Sequence, residues 1–510
     1  MIREANSIMT PIECTISDGF VYVSPNTSAD LIKLLYNQLM IRIPGAEHTD
    51  LFKRGQWDGT RKFFVFRYKC FPVGLLPWVE RTLLVSFVAR EDDRSQTPIP
   101  FFPVIIHKDG KDYPMRDFQE ESARLLLEHH GGLASVATNG GKTAIIASIV
   151  LSLYKVGKKV LILEGMINLL TQVKKEVESC IGFEIDEYTA KNKTLSTVSI
   201  AMVPSLARRL GRENVSGDTD LQETLKVYDA IIVDECHHAQ AETYNALLTI
   251  NPRVMRFGLS GTVPLDSTFH GLLLRSVFGE VYRTVGNTEL ITRGISAKPT
   301  INMIETDMDY MFDKRLAVYK GQVHPTCMKL NPRRKKMEFC VPMYVAKIRH
   351  FVMDEGIRHH EESKRIIGRL LEKHKDQSTV VLVDWVEYSE DLAAAFSIPV
   401  FHGKTKKRDT LLEDFSSGKI KHLIATSVLD EGLSIDCIEV LILANAGKSR
   451  RQFLQRLGRG LRKKENVNEL NVYDFLRYGH KYLEAPSKER YQLWNEEGFD
   501  IKFLREKAIC

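Results

Sequence analysis

Past residue 110, short apolar runs alternate with helical patterns, and this alternation limits the possible folds most. The runs are LASVAT before Asn139, KVLILE before Gly165 and DAIIVD before Glu235, then STVVLVD, PVF before His402, KHLIATS and EVLILAN. They are continuous rather than alternating in polarity, which marks strands buried on both faces. Between them, segments such as TAIIASIVLSLYKVG and MINLLTQVKKEVESC place apolar residues three and four apart, the mark of an amphipathic helix. Strands alternating with helices predict parallel sheets covered by helices. There are two such series, one before about residue 285 and one after about residue 375. The fold class expected is therefore α/β, with two parallel-sheet domains in tandem.

The chain has 510 residues, enough for about three domains at roughly 100–200 residues each. The first 95 residues read differently. FFVFRY, KCFPVGLLPWV and RTLLVSFVAR look like short strands around turns, which suggests a small α+β module. The polar, then proline-broken stretch EDDRSQTPIPFFP would end it. The expected division is an accessory domain over 1–95, a first α/β domain over 96–285 and a second over 286–475. The second carries an irregular insertion over 307–345, and a tail over 476–510 follows.

No apolar run reaches the roughly 18 residues of a membrane span. The N-terminus carries acids and lacks the apolar stretch of a secretory signal. The eight cysteines, Cys14, Cys70, Cys180, Cys236, Cys327, Cys340, Cys437 and Cys510, are scattered without a C-x-x-C pair. Free thiols in a reducing, cytoplasmic compartment are expected, not a disulfide framework or zinc module. A net charge of +6 is mild. It permits a nucleic-acid partner, so any basic footprint must be local.

Val136-Ala137-Thr138-Asn139-Gly140-Gly141-Lys142-Thr143 follows a strand run and opens a helical one. That is the context of a phosphate-binding P-loop. Backbone N–H groups of Thr138, Asn139, Gly140 and Gly141 would face phosphate oxygens. Lys142 would add charge at the β- and γ-phosphates, and the Thr143 hydroxyl would reach Mg²⁺. The general pattern wants glycine where Val136 stands.

Ile231-Ile232-Val233-Asp234-Glu235-Cys236-His237-His238 comes later. Asp234 ends a buried strand, where open α/β sheets bind ligands. It would hold Mg²⁺, and Glu235 would orient or deprotonate the attacking water. Adjacent Cys236, His237 and His238 cannot easily ligate one ion together, so zinc is not expected.

With these motifs in order, residues 115–465 resemble a superfamily 2 helicase, a motor of two RecA-like domains. Arg116-Asp117-Phe118-Gln119 resembles its glutamine motif, which implies that Gln119 reads adenine. Asp234-Glu235-Cys236-His237 is similar to its DExH box, and Leu259-Ser260-Gly261-Thr262 to motif III. Residues 425–436, with Thr426 and Asp430, resemble motif V. Gln455-Arg456-Leu457-Gly458-Arg459-Gly460-Leu461-Arg462 resembles motif VI, Q-x-x-G-R-x-x-R. Arg459 and Arg462 are three apart and would share a helix face. The resemblance implies that they and Gln455 complete the site at the γ-phosphate, with Arg459 or Arg462 as an arginine finger.

The sequence departs from this pattern at Glu164-Gly165-Met166, where motif Ia usually reads V-P-T before a later Gln, here Gln172. Asn139 replaces a common glycine, and Ala201 stands where motif Ib often has Thr.

Phe52-Lys53-Arg54-Gly55-Gln56-Trp57-Asp58-Gly59, with the later Phe71-Pro72-Val73-Gly74-Leu75-Leu76, resembles the N-terminal domain of phage UvsW-type helicases. Those enzymes remodel forks, four-way junctions and R-loops. Lys53 and Arg54 would meet phosphates, and Trp57 would stack on unpaired bases. The competing reading is a hairpin with a half-buried aromatic face.

The resemblance implies ATP held between the two RecA-like domains, closure on binding and release on hydrolysis. The expected partner is branched or forked DNA, with RNA in R-loops, no membrane and a monomeric protein. Expected roles lie in phage replication, recombination or repair, in the host cytoplasm. Two alternatives stay open: a duplex-DNA translocase that never separates strands, and an RNA helicase. A fused nuclease at Asp354 with Glu362-Ser363-Lys364 is disfavoured, because such charge runs are usually solvated faces.

Overall fold

The structure, a computed structural model, describes residues 11–504 apart from 95–96, 109, 211–218, 241, 310, 332–335, 406–407, 427–437 and 446–468. The chain forms two compact units, Met1–Val285 and Gly286–Cys510.

The first unit opens with a four-stranded mixed sheet. Ile12–Ser17 pairs antiparallel with Phe20–Val23 and parallel with Phe87–Asp92, and Phe20–Val23 pairs antiparallel with Cys70–Pro72. Two of the expected strands take other forms. In FFVFRY, Phe63 and Phe64 turn inward, and the chain then makes a turn closed by a bridge between Val65 and Cys70. VGLLPWV leads into a helix, Leu76–Leu83, with proline in its first turn. Proline is favoured at a helix start, and Leu76, Val79 and Leu83 repeat at helical spacing. That spacing outweighs the strand-like composition.

This module is built onto the α/β domain behind it. Leu272 and Leu273 of helix Phe269–Phe278 join the core of Ile16, Val21, Leu35, Phe71 and Trp78. Gly74 lies so close to that helix that a Cβ would fall 2.2 Å from the Arg275 carbonyl oxygen. Arg81 bridges Glu280 at 2.7 Å and Asp266 at 3.1 Å. Arg253 meets Asp93 at 3.0 Å.

Seven parallel strands form the α/β sheet of the first unit. Across the sheet they run Asp186–Tyr188, Val198–Met202, Val160–Glu164, Ala230–Val233, Met255–Ser260, Gly131–Val136 and Val281–Val285. The second unit repeats this plan with Val400–Phe401, His422–Ala425, Thr379–Leu382, Val440–Leu443, Glu469–Arg477, Lys298–Thr306 and Asp500–Leu504, again all parallel. In both, the first strand in chain order lies sixth across, the second lies third, and every later strand matches as well. These are tandem RecA-like domains. All seven apolar runs singled out from the sequence are strands here. Alternate residues face opposite cores: Val380 and Leu382 pack on one side, Val381 and Val383 on the other.

The tail forms helix Lys481–Glu496 and an edge strand, Asp500–Leu504, paired with Lys298–Thr306. The segment expected to be irregular contains helix Phe312–Val323 and an antiparallel pair, Met328–Asn331 with Lys336–Phe339. Among the described residues, no helix is long and apolar enough to cross a membrane. The described cysteines are free thiols, and no described cluster of His, Cys, Asp or Glu is arranged to hold a metal.

Candidate active site

The P-loop leaves the end of strand Gly131–Val136 and enters helix Lys142–Lys155. Asn139 and Gly141 both adopt left-handed backbone, at φ 73° and 76°. Such turns aim successive N–H groups into one concave nest, suited to anions. The two glycines have no room for a side chain. A Cβ on Gly140 would come 2.4 Å from Val136 Cγ1, and one on Gly141 would come 2.3 Å from Gln119 Nε2.

Gln119 is fully buried. Its Oε1 accepts the Arg116 backbone N–H at 2.8 Å, which caps helix Asp117–Glu128. Its Nε2 donates to the Gly140 carbonyl at 2.8 Å. Both ends of the carboxamide are therefore engaged, Oε1 in capping the helix and Nε2 in bracing the loop, at the residue for which the resemblance implied an adenine reader.

Lys142 Nζ lies 3.2 Å from Glu235 Oε1. Burial works against the Lys142 charge, but Glu235 and Asp234 outweigh it and hold its pKa above the ordinary value. Burial likewise opposes the Glu235 carboxylate, but Lys142 and His237 hold its pKa below the usual range. Asp234 behaves oppositely. Burial first, then the Glu235 charge, push its carboxyl up to about 6. Glu235 has a left-handed backbone, φ 48°, and its N–H donates to Asp234 Oδ1 at 2.9 Å. Strain of this kind in a non-glycine residue persists only where surrounding contacts enforce it. Thr143 stands half-buried in the first turn of helix Lys142–Lys155.

Ser260, at the end of the next strand, ties this site together. Its hydroxyl donates to Glu235 Oε2 at 3.3 Å, accepts from His237 Nδ1 at 2.8 Å and accepts the Thr262 N–H at 3.2 Å. Because the hydroxyl proton goes to Glu235, His237 must carry its own on Nδ1. His237 is thus used to orient Glu235, and Cys236 is buried in the core.

Two groups went unassigned in the sequence. Glu164, only 1 % exposed, ends the strand beside Asp234, and its Oε1 has no hydrogen-bond partner. Burial, then the charges of Asp234 and Glu235, push its carboxyl well above the ordinary range. Tyr244 is buried against it. The mismatch of Glu164-Gly165-Met166 with motif Ia was the signal that marked this position.

The remaining candidates are dispersed. Lys53 and Arg54 are exposed at the end of helix Asp50–Lys53, and half-buried Trp57 donates its indole N–H to the Thr60 carbonyl at 3.1 Å. Gln172 is exposed on helix Ile167–Ile181 and donates to Glu176. Thr426 is buried just past strand His422–Ala425. Asp430, Gln455, Arg459 and Arg462 lie outside the described residues. Of the disfavoured nuclease set, Ser363 is buried and bonded to His360, and Lys364 pairs with Glu361.

A basic and aromatic turn projects from the N-terminal module. Phe66 and Tyr68 are 61 % and 60 % exposed, beside exposed Arg67 and intermediate Lys69.

Residues 112–265 match the family of type III restriction enzyme res subunits, and 362–464 match the helicase conserved C-terminal domain. A DNA 3'-5' translocase XPB2 from Sulfurisphaera tokodaii is 24% identical over 397 residues, 74% of this chain and 85% of that protein. The ATP-dependent type ISP restriction-modification enzyme LlaBIII bound to DNA shares the fold at TM-score 0.53, with 14% identity over 78% of this chain and 32% of that one. The crystal structure of T4 UvsW aligns at TM-score 0.43 and 16% identity, over 97% of this chain and 99% of that one.

Proposed function

The chain belongs to superfamily 2 of the helicases and hydrolyses ATP, and from that premise we propose that it is a DNA helicase that remodels branched DNA. Forks, four-way junctions and R-loops are the substrates this reading assigns to it, in phage replication, recombination or repair. One observation carries it. The N-terminal module packs directly on the first motor domain through Leu272, Arg81 and Gly74, and it holds Phe66, Arg67 and Tyr68 out to solvent, with half-buried Lys69 beside them. Basic groups receive backbone phosphates and aromatic rings stack on unpaired bases. A motor domain so equipped can engage the point where strands part.

In this reading the P-loop amides and Lys142 hold the β- and γ-phosphates of ATP. Thr143 and Asp234 offer the hydroxyl and carboxylate oxygens that suit Mg²⁺. When bound, that ion neutralises charge developing on the phosphates. The buried, unbonded hydroxyl of Thr262 beside the loop is a further polar group that a phosphate or its water would satisfy. Glu235, its orientation set by Ser260 and His237, aligns and deprotonates the attacking water. Gln455, Arg459 and Arg462 are assigned to the γ-phosphate from motif VI alone.

The test is ATP hydrolysis with equal masses of four-way junction, linear duplex and structured RNA, in wild type and a Phe66→Ala, Tyr68→Ala variant. The reading expects the junction to stimulate most, with that preference lost in the variant. Equal stimulation by linear duplex would favour a translocase, and preference for RNA an RNA helicase.

A further inference from the structure

The second motor domain contains a cavity of about 440 Å³, lined by none of the residues assigned above to ATP. It opens at the C-terminal ends of strands Thr379–Leu382, Val440–Leu443 and Glu469–Arg477, marked by Asp384, Asn445 and Arg477. These three are second, fifth and sixth in chain order. In the first domain the same three places end at Glu164, Asp234 and Ser260. The cavity therefore repeats the position of the first domain's carboxylates. It also lies where the chain turns to opposite sides of the sheet after Thr379–Leu382 and after Val440–Leu443, the crevice in which open α/β sheets take ligands.

Its charge is inverted. Arg477 is 5 % exposed, yet among the described residues its guanidinium donates only to neutral backbone oxygens, Ala444 at 2.7 Å and Gly356 at 3.3 Å. The nearest carboxylate in sequence, Asp474, is taken by Arg490 at 2.9 Å and by the Trp494 indole at 3.2 Å. A buried guanidinium without a carboxylate is costly unless something anionic arrives. Asp384, also in the lining, is engaged within the protein. Arg349 stands exposed at the rim. One wall is aromatic. The His350 and Trp385 rings are parallel within 4°, their centroids 6.5 Å apart, and present flat faces on which a base can stack.

We propose that this cavity binds one nucleotide, its base against Trp385 and His350 and its phosphate received by Arg477 and Arg349. A unit of a single strand and a free mononucleotide present the same chemistry. In the strand form the inference rests on the DNA-helicase reading and deepens it. In the free form it stands alone.

The test uses the full chain without ATP. Fluorescein-labelled oligothymidylate of twelve residues is followed by anisotropy, and dTMP by quenching of tryptophan fluorescence. Thymine keeps an adenine-binding site out of the readout. The variants are Trp385→Leu and Arg349→Ala, neither of which strips a buried group of its partner, each checked by thermal melting. If a strand is the ligand, each variant binds the oligomer about tenfold more weakly. Arg349→Ala also flattens the dependence of log K on log salt by about 0.7. If free nucleotide is the ligand, dTMP quenches wild type but not Trp385→Leu, while oligomer affinity is unchanged. Folded variants that match wild type with both ligands overturn the inference. A wild type that binds no oligomer contradicts the DNA reading instead, and the dTMP arm still decides the cavity.

Discussion

Lys142 and Glu235 hold each other at 3.2 Å across the P-loop. In the proposed reading, the charge needed at the phosphates and the carboxylate needed at the water are each occupied by the other. ATP would draw Lys142 away in that reading, because a triphosphate is the stronger counter-ion. Glu235 then keeps Ser260 and His237 and is free to take a proton. The proposed roles thus make the pair a resting state that substrate itself would undo.

Replacing Lys142 with Ala removes the cation and leaves Glu235 buried against Asp234. Phosphate release should fall by roughly 10²–10³-fold or more, the usual loss for one preorganised donor. A melting curve should show the chain still folded. Full turnover in this variant would place the ATP site elsewhere.

Gln119→Ala should act on binding more than on chemistry. Its Nε2 holds the Gly140 carbonyl, so truncation loosens the loop and strips the cap at Arg116. An N-cap contact alone is worth about 1 kcal/mol. The expected result is a raised KM for ATP with kcat reduced less, measured by steady-state hydrolysis.

Glu164 gives a pH prediction. Its pKa is raised in the folded chain above the ordinary 4.5, so the folded state holds this proton more tightly than the unfolded one. Stability is then lost as pH rises from the unfolded value toward the folded one. Glu164→Gln should raise the melting midpoint at pH 8, and the gain should vanish near pH 4. A gain independent of pH would contradict it.

Asp474 is fully buried and bonded to Arg490. Arg490→Met should destabilise the second unit by about 3–5 kcal/mol, because a buried carboxylate is left uncompensated. Pairing it with Asp474→Leu should recover most of the loss, as read by denaturant unfolding.

The motor domains were legible because buried parallel strands are apolar throughout, as in Val160–Glu164 and Val440–Leu443, and because a P-loop is local. The N-terminal module was not. Phe63 and Phe64 lie in irregular chain just before a turn, although their composition suits a strand. The tail helix Lys481–Glu496 contains Pro486, which hides its periodicity. Gln119 was found, but its contact with Gly140 depends on how two elements pack, and no spacing encodes that. The same holds for Glu164 and Tyr244, which converge only in the folded sheet.

The most direct measurement follows a labelled four-way DNA junction with ATP and Mg²⁺, in wild type and in Glu235→Gln. The account predicts ATP-dependent resolution into forked arms by wild type. Loss of the general base should slow the variant by roughly 10²–10⁴-fold. An intact junction in the presence of brisk, DNA-stimulated ATP hydrolysis would contradict it.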